Sequence, residues 1–170
     1  KMYPADLLKK NLKNFCKYLK SDKYFLGCSV TVPFKEEVMK YLDSTDKNAK
    51  YIGSVNTIKK FNGKLIGYNT DYVGSLDTIK KMHINKKRKG ILFFGCGGAG
   101  KACLVSTLKY FNSSRVYLVN RSKKKIINFL KKVKNINKNK IIFVDNFNDK
   151  KNKLSKIDLI VNSTSIGFDT

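Results

Sequence analysis

The chain has 170 residues, is 42% hydrophobic and 12% aromatic, and carries a formal net charge of +24 from 36 Lys plus Arg against 12 Asp plus Glu. That length buries a real core in one large domain or two small ones, and the apolar content excludes wholesale disorder. No apolar run approaches the roughly 18 residues that span a bilayer, and residues 1–10 lack the continuous apolar stretch of a signal peptide.

Pro4 followed by Ala5, Leu7, Leu8, Leu12, Phe15 and Leu19 sets apolar residues at helical spacing, and Ser21-Asp22 ends the pattern. Residues 24–32 read as a strand stopped by Pro33, and residues 34–42 as a short helix. Residues 54–61 and 64–68 flank Asn62-Gly63, the strongest short hairpin signal. From Thr70, the positions of Val73, Leu76 and Ile79 suit a helix running toward the basic cluster Lys86-Lys87-Arg88-Lys89. Past that cluster the pattern changes. Residues 90–94, 115–120, 141–144 and 157–162 read as strands, with helices at 102–110 and 124–133 between the first three. Such alternation predicts a parallel α/β sheet. The boundary falls near Lys86, giving two domains, residues 1–85 and 86–170.

The positive excess is almost all Lys; arginine occurs only as Arg88, Arg115 and Arg121. Base-edge and phosphate recognition favours Arg forks. With Lys and Asn spread along the whole chain, the charge reads as solvated surface and not as a nucleic-acid face. Cys16, Cys28, Cys96 and Cys103 show no CxxC spacing, and His83 is the single histidine. A zinc site, a Cys–His pair and a Ser–His–Asp triad are therefore poor readings. Thiols of this kind without a leader pattern predict the reducing cytoplasm.

Gly95-Cys96-Gly97-Gly98-Ala99-Gly100 fits G-x-G-x-x-G between an apolar strand and a helix. Gly95 suits a tight turn, Gly97 the close approach of a pyrophosphate, and Gly100 the contact of helix with strand. Gly98 and Ala99 stand at the helix start, where the dipole favours negative charge. NAD binders carry Asp or Glu about 20 residues beyond such glycines, to hold the ribose 2′-OH. Here that place holds Asn120-Arg121-Ser122 and then Lys123-Lys124-Lys125, with no carboxylate. A guanidinium grips a 2′-phosphate in bidentate fashion, so the cofactor reads as NADP in preference to NAD. Ser122 also suits the cap of the following helix.

Three stretches of the first domain set polar or ionisable residues at or beside strand ends: Val30-Thr31-Val32-Pro33-Phe34-Lys35, Ile52-Gly53-Ser54-Val55-Asn56-Thr57 and Gly67-Tyr68-Asn69-Thr70-Asp71. In order and spacing they resemble the V-T-V-P-x-K, G-A-V-N-T and N-T-D motifs of the shikimate dehydrogenase family, and the glycine turn and N-R-S agree with it. Asn162-Ser163-Thr164-Ser165-Ile166-Gly167 is similar to the family's segment at the nicotinamide end, which implies cofactor contacts for Asn162, Ser163 and Thr164. The resemblance implies an N-terminal α/β substrate domain and a Rossmann-like NADP domain with a parallel sheet. The implied reaction is the reversible reduction of 3-dehydroshikimate to shikimate, in the shikimate pathway of aromatic amino-acid biosynthesis.

Carried across by motif, Lys35 and Asp71 form the catalytic pair. Lys35 supplies the proton and positive charge that a developing alkoxide needs, and Asp71 binds substrate hydroxyls and holds Lys35. Thr31 and Asn56 match the family's hydrogen-bonding substrate contacts. The alternatives are a quinate/shikimate dehydrogenase, which can use NAD, and a basic Rossmann-type binding module without catalysis. Three positions depart from the family pattern: Ser54 stands where Ala is usual, Tyr72 where Gly is common, and Phe168 where Met is usual. The family also begins with a strand and a Ser-x-Ser segment and continues into further strands and a Gln-bearing helix. The resemblance thus implies that these residues are the middle of a longer two-domain enzyme.

Overall fold

In the computed structural model the described residues are 5–83, 90–144, 156–164 and 166. Pro4, the cluster around Lys86, Gly167 and Phe168 lie outside them. The chain packs as two compact units, Lys1–Thr70 and Asp71–Thr170.

In the first unit, helix α1 spans Leu12–Ser21. It starts later than the apolar spacing from Pro4 predicts, because Leu8 is extended and 63% exposed and a 3-10 turn follows it. The buried face of α1 is Leu12, Cys16 and Leu19, an i, i+4, i+7 stripe. Strand β1 is Gly27–Ser29, shorter than predicted. Its expected beginning is taken by a turn in which the Asp22 carboxylate accepts from the Tyr24 N–H at 2.9 Å and the Asp22 carbonyl from the Phe25 N–H at 3.2 Å. The expected helix over 34–42 is instead the end of a run of turns that begins at the cis Val32–Pro33 peptide, followed by a 3-10 helix at Val38–Tyr41. The Lys35 carbonyl accepts from the Val55 N–H at 2.7 Å, a partner outside any local helix.

Strand β2 (Ser44–Thr45) and helix α2 (Lys47–Ile52) follow. Asp46 caps α2 by accepting from the Ala49 N–H at 2.7 Å. Strands β3 (Thr57–Phe61) and β4 (Lys64–Tyr68) form the predicted hairpin. Asn62 and Gly63 sit at φ 48° and 71°, the two positive values that a two-residue type I′ turn needs. The sheet order is β1-β3-β4-β2, with β2 parallel to β4 and the other pairs antiparallel. Ile58, Leu65, Val55, Val38 and Ala49 pack with the α1 stripe into one core.

The second unit opens in helix α3 (Thr70–Lys81) and continues through β5 (Gly90–Phe94), α4 (Gly98–Tyr110), β6 (Arg115–Val119), α5 (Lys123–Lys132), β7 (Ile141–Phe143) and β8 (Leu159–Asn162). The division at Thr70–Asp71 comes one helix before the sequence boundary near Lys86. Tyr72, 7% exposed, packs α3 onto α4: its carbonyl lies 3.1 Å from the Ser106 hydroxyl, and the Lys109 ammonium is 6.0 Å from its ring centroid. The sheet is wholly parallel with order β7-β6-β5-β8. The first strand of the sheet is therefore internal, buried from Gly90 through Phe93, which is why its sequence is continuously apolar. The order reverses between β5 and β8. In open parallel sheets, ligand crevices form at such a switch point, outside the carboxyl ends of the strands. Among the described residues no helix is long and apolar enough to cross a membrane.

Candidate functional site

In the first unit, three stretches far apart in sequence meet through the loop at residues 53–56. The Val30 N–H donates to the Asn56 carbonyl at 2.8 Å, the Val55 N–H to the Lys35 carbonyl at 2.7 Å, and the Asn56 N–H to the Tyr68 carbonyl at 3.0 Å. The Asn56 side chain then clasps Thr70. Its Nδ2 donates to Thr70 Oγ1 at 2.8 Å, and its Oδ1 accepts from the Thr70 N–H at 3.0 Å and from the Thr57 hydroxyl at 3.2 Å. Beneath this clasp the buried Asn69 Nδ2 donates to the Ser54 carbonyl at 2.8 Å and to the Ser54 hydroxyl at 2.9 Å. Backbone bonds thus gather the segments bearing Thr31, Lys35 and Asn56. Thr31 is exposed in the turn after β1, and Lys35 is half-buried. Asp71 follows Thr70 as the second residue of α3 and belongs to the second unit.

A cavity of about 670 Å³ opens beside Thr31 and Val32 and runs under the sheet past Phe15, Cys16, Leu19 and Cys28. Its walls are mainly apolar, unsuited to a polyhydroxylated acid. Burial pushes the Cys16 and Cys28 thiols above their ordinary value, and Cys28 raises Cys16 further. Both stay protonated at neutral pH, the unreactive form of the group.

In the second unit, the glycine turn lies at the carboxyl end of β5. Gly95 has φ 81°, a conformation costly for any side chain, and its N–H donates to the Val119 carbonyl at 3.0 Å. A Cβ there would come within 2.8 Å of Thr164 Cγ2, and one on Gly100 within 2.6 Å of Ser163 Oγ. A Cβ on Gly97 would meet nothing within 4 Å. Two glycines are thus required by the segment after β8, while the third faces open space. Ser163 holds the turn: its N–H donates to the Phe94 carbonyl at 2.9 Å, and its hydroxyl lies 2.9 Å from that oxygen and 3.1 Å from the Gly95 carbonyl. Asn162 Oδ1 accepts from the Thr164 N–H at 3.0 Å and from the Thr164 hydroxyl at 2.7 Å.

Helix α4 starts at Gly98, inside the motif and four residues before the expected start at Ala102. The Lys101 N–H to Gly97 carbonyl bond, 2.9 Å, falls at its start, so the amides ahead of Lys101, Ala99 among them, lie at the positive end of the helix dipole. Asn120, Arg121 and Ser122 leave β6 just after the Phe94–Val119 pair, beside the glycine turn. The Asn120 amide donates to the Ser122 carbonyl at 3.2 Å, and Arg121 is exposed. Ser122 holds the N-cap position of α5, but its side chain makes no capping hydrogen bond. Sequence reasoning does not single out Ser54 or Asn69 as site residues. Their signal is burial of paired polar groups, which exists only once the two loops have met.

Residues 2–58 match the family model described as the shikimate dehydrogenase substrate binding domain. The NADP(+)-type shikimate dehydrogenase of Aquifex aeolicus (strain VF5) is 39% identical over 142 residues, covering 84% of this chain and 49% of that protein. A crystal structure of the Aquifex aeolicus shikimate dehydrogenase superposes with a TM-score of 0.77 at 36% identity, over 95% of this chain and 56% of the other. Shikimate 5-dehydrogenase from Thermus thermophilus, in complex with NADP(H) and shikimate, gives a TM-score of 0.68 at 26% identity, over 95% and 56%. The chain spans about half the length of the relatives it matches.

Proposed function

We propose that this chain is a member of the shikimate dehydrogenase family and the core of an NADP-dependent enzyme interconverting 3-dehydroshikimate and shikimate, on the strength of the substrate-domain match over residues 2–58 and a 39% identical relative. The observation that carries the reading is the convergence of the stretch bearing Thr31 and Lys35 and of the stretch at Tyr68 on the loop bearing Asn56, through backbone bonds of 2.7 to 3.0 Å.

The residues at the glycine turn fit a dinucleotide. Gly97 leaves open the space that a Cβ would fill, the start of α4 turns backbone amides toward it, and Asn120 to Ser122 bring a cation and no carboxylate. When bound, NADPH supplies the hydride that reduces the ring carbonyl carbon. The chain's own residues handle the substrate and the proton. The Lys35 ammonium donates a proton to the carbonyl oxygen as negative charge develops there. In the reverse direction, neutral Lys35 takes the proton back from the hydroxyl. Asp71 accepts hydrogen bonds from substrate hydroxyls, while Thr31 and Asn56 orient the ring. Arg121 would hold the 2′-phosphate of a bound NADP by charge-assisted hydrogen bonds. The net change is 3-dehydroshikimate, NADPH and one proton to shikimate and NADP+. The reducing cytoplasm is the fitting compartment for a protein with four free thiols.

The test is oxidation of shikimate by the full-length protein, followed at the absorbance of NADPH, with quinate and NAD+ as parallel arms. Wild type turns over shikimate with NADP+. Lys35→Ala loses at least about 100-fold in kcat, the lower range for removal of a general acid–base, while NADPH still binds. Unchanged turnover in Lys35→Ala sinks the catalytic assignment, and faster turnover of quinate with NAD+ moves the protein to the quinate/shikimate class.

A further inference from the structure

We propose that Asn69 and Ser54 are a positioning pair for the substrate site, acting through Asn56 and Thr70; the inference rests on the function proposed above. Asn69 is 2% exposed and Ser54 wholly buried, and the Asn69 amide reaches both the carbonyl and the hydroxyl of Ser54. Together with the clasp of Asn56 on Thr70 this closes a ring. The path runs from the Asn69 side chain to Ser54, through Val55 to Asn56, from the Asn56 side chain to Thr70, and back to Asn69 by a peptide bond. The loop at 53–56 cannot slide against the turn at 69–70 without breaking bonds at both ends of the ring.

Stability alone does not call for such a pair. Burying an amide and a hydroxyl carries a desolvation cost that their mutual hydrogen bonds only modestly outweigh, and apolar side chains of similar shape hold loops together equally well. What the polar pair adds is direction. An amide aimed at two oxygens of one residue accepts a single registration of the two loops, and a satisfied buried network rigidifies it. That registration matters because the same loop anchors the Lys35 carbonyl through the Val55 N–H and the Val30 N–H through the Asn56 carbonyl. Asn69 and Ser54 act through these neighbours, so they are positioning residues and not catalytic ones.

Steady-state kinetics on the full-length Ser54→Ala, Asn69→Ala and double variants test the pair. Ser54→Ala removes one of two acceptors and raises the shikimate KM roughly three- to tenfold. Asn69→Ala lowers kcat/KM for shikimate by about 30-fold or more, and the NADP+ KM of each variant stays within about twofold. The double variant is no worse than Asn69→Ala, because both changes remove the same contact. Amide hydrogen exchange supplies a readout independent of turnover: exchange at Thr70 and Asn56 quickens about tenfold in the variants, and exchange in β5 and β6 does not change. Unaltered shikimate kinetics in Ser54→Ala, parallel losses for shikimate and NADP+, or unaltered exchange at Thr70 each overturn the pair. Ser54→Ala alone decides the matter if Asn69→Ala does not fold. A wild-type protein that does not oxidise shikimate overturns the proposed function instead, and the exchange experiment still decides whether the ring exists.

Discussion

Arg121 leaves β6 exposed, beside the glycine turn, in a segment from Asn120 to Lys125 that contains no carboxylate. A hydrogen bond to a charged group contributes about 1.5–3 kcal/mol, so Arg121→Asp should weaken NADP+ roughly 10- to 150-fold and NAD+ by no more than about threefold. Titration calorimetry with both dinucleotides measures this, and equal loss of both removes the 2′-phosphate from Arg121. Lys35 offers a different kind of probe. Its backbone carbonyl accepts from the Val55 N–H, and truncating its side chain leaves that bond in place. Tyr72, the bulky neighbour of Asp71, is accounted for by packing, since it is buried against α4.

At the scale of elements, α1, β2 and β4 are tied by one side chain. The Asp43 carboxylate accepts from the Lys20 ammonium of α1 and, at 2.8 Å, from the Leu65 N–H, while the Asp43 N–H donates to the Leu65 carbonyl at 3.0 Å. The Lys20 hydrogen bond first, and the Leu65 N–H second, hold its carboxyl below the ordinary 3.8. A depressed folded value adds stability that is complete above the unfolded value and is lost as pH falls through the folded one. The Tm of the wild type should therefore fall from about pH 5 downward, and Asp43→Asn should flatten part of that limb while lowering Tm slightly at pH 7. The effect is modest because the Lys20 and Asp43 side chains are 48% and 25% exposed. An acid limb identical in the two proteins refutes it.

The elements also show where sequence reading works. Strands β5 and β6 and the Asn62-Gly63 hairpin are legible because a continuous apolar run and a two-residue turn each carry their own local cause. Residues 34–42 are not legible, because the Lys35 carbonyl bonds to Val55, a partner 20 residues away. Strand β2 has two residues, too few for any period to show, though Asp46 ahead of α2 is a readable cap. At the site, the glycine turn is visible as a motif. The reason two of its glycines must stay glycine lies in Ser163 and Thr164, more than 60 positions on.

For the whole molecule, +24 on 170 residues means self-repulsion that the folded state concentrates. With 12 acidic side chains for 36 basic ones, ion pairs such as Lys20–Asp43 and Lys80–Asp77 leave most of this charge to solvent and counterions. Raising NaCl from about 10 mM to about 150 mM shortens the screening length from roughly 30 Å toward 8 Å and should raise Tm by several degrees. A flat or falling Tm means that the lysines are not a repelling surface. Any binding to random-sequence DNA should fade over the same salt range, without sequence preference.

The contact of Gly100 with Ser163 also sets an order in which this protein can change. A methyl on Gly100 meets Ser163 Oγ at 2.6 Å, but with that oxygen gone its nearest neighbours are Ser163 Cβ and the Gly95 carbonyl, both at 3.4 Å. Gly100→Ala should be damaging in the wild type and nearly silent after Ser163→Ala, measured as the Tm of the two single variants and the double. Of the two mutational routes to alanine at both positions, only the one that alters Ser163 first avoids a clashing intermediate.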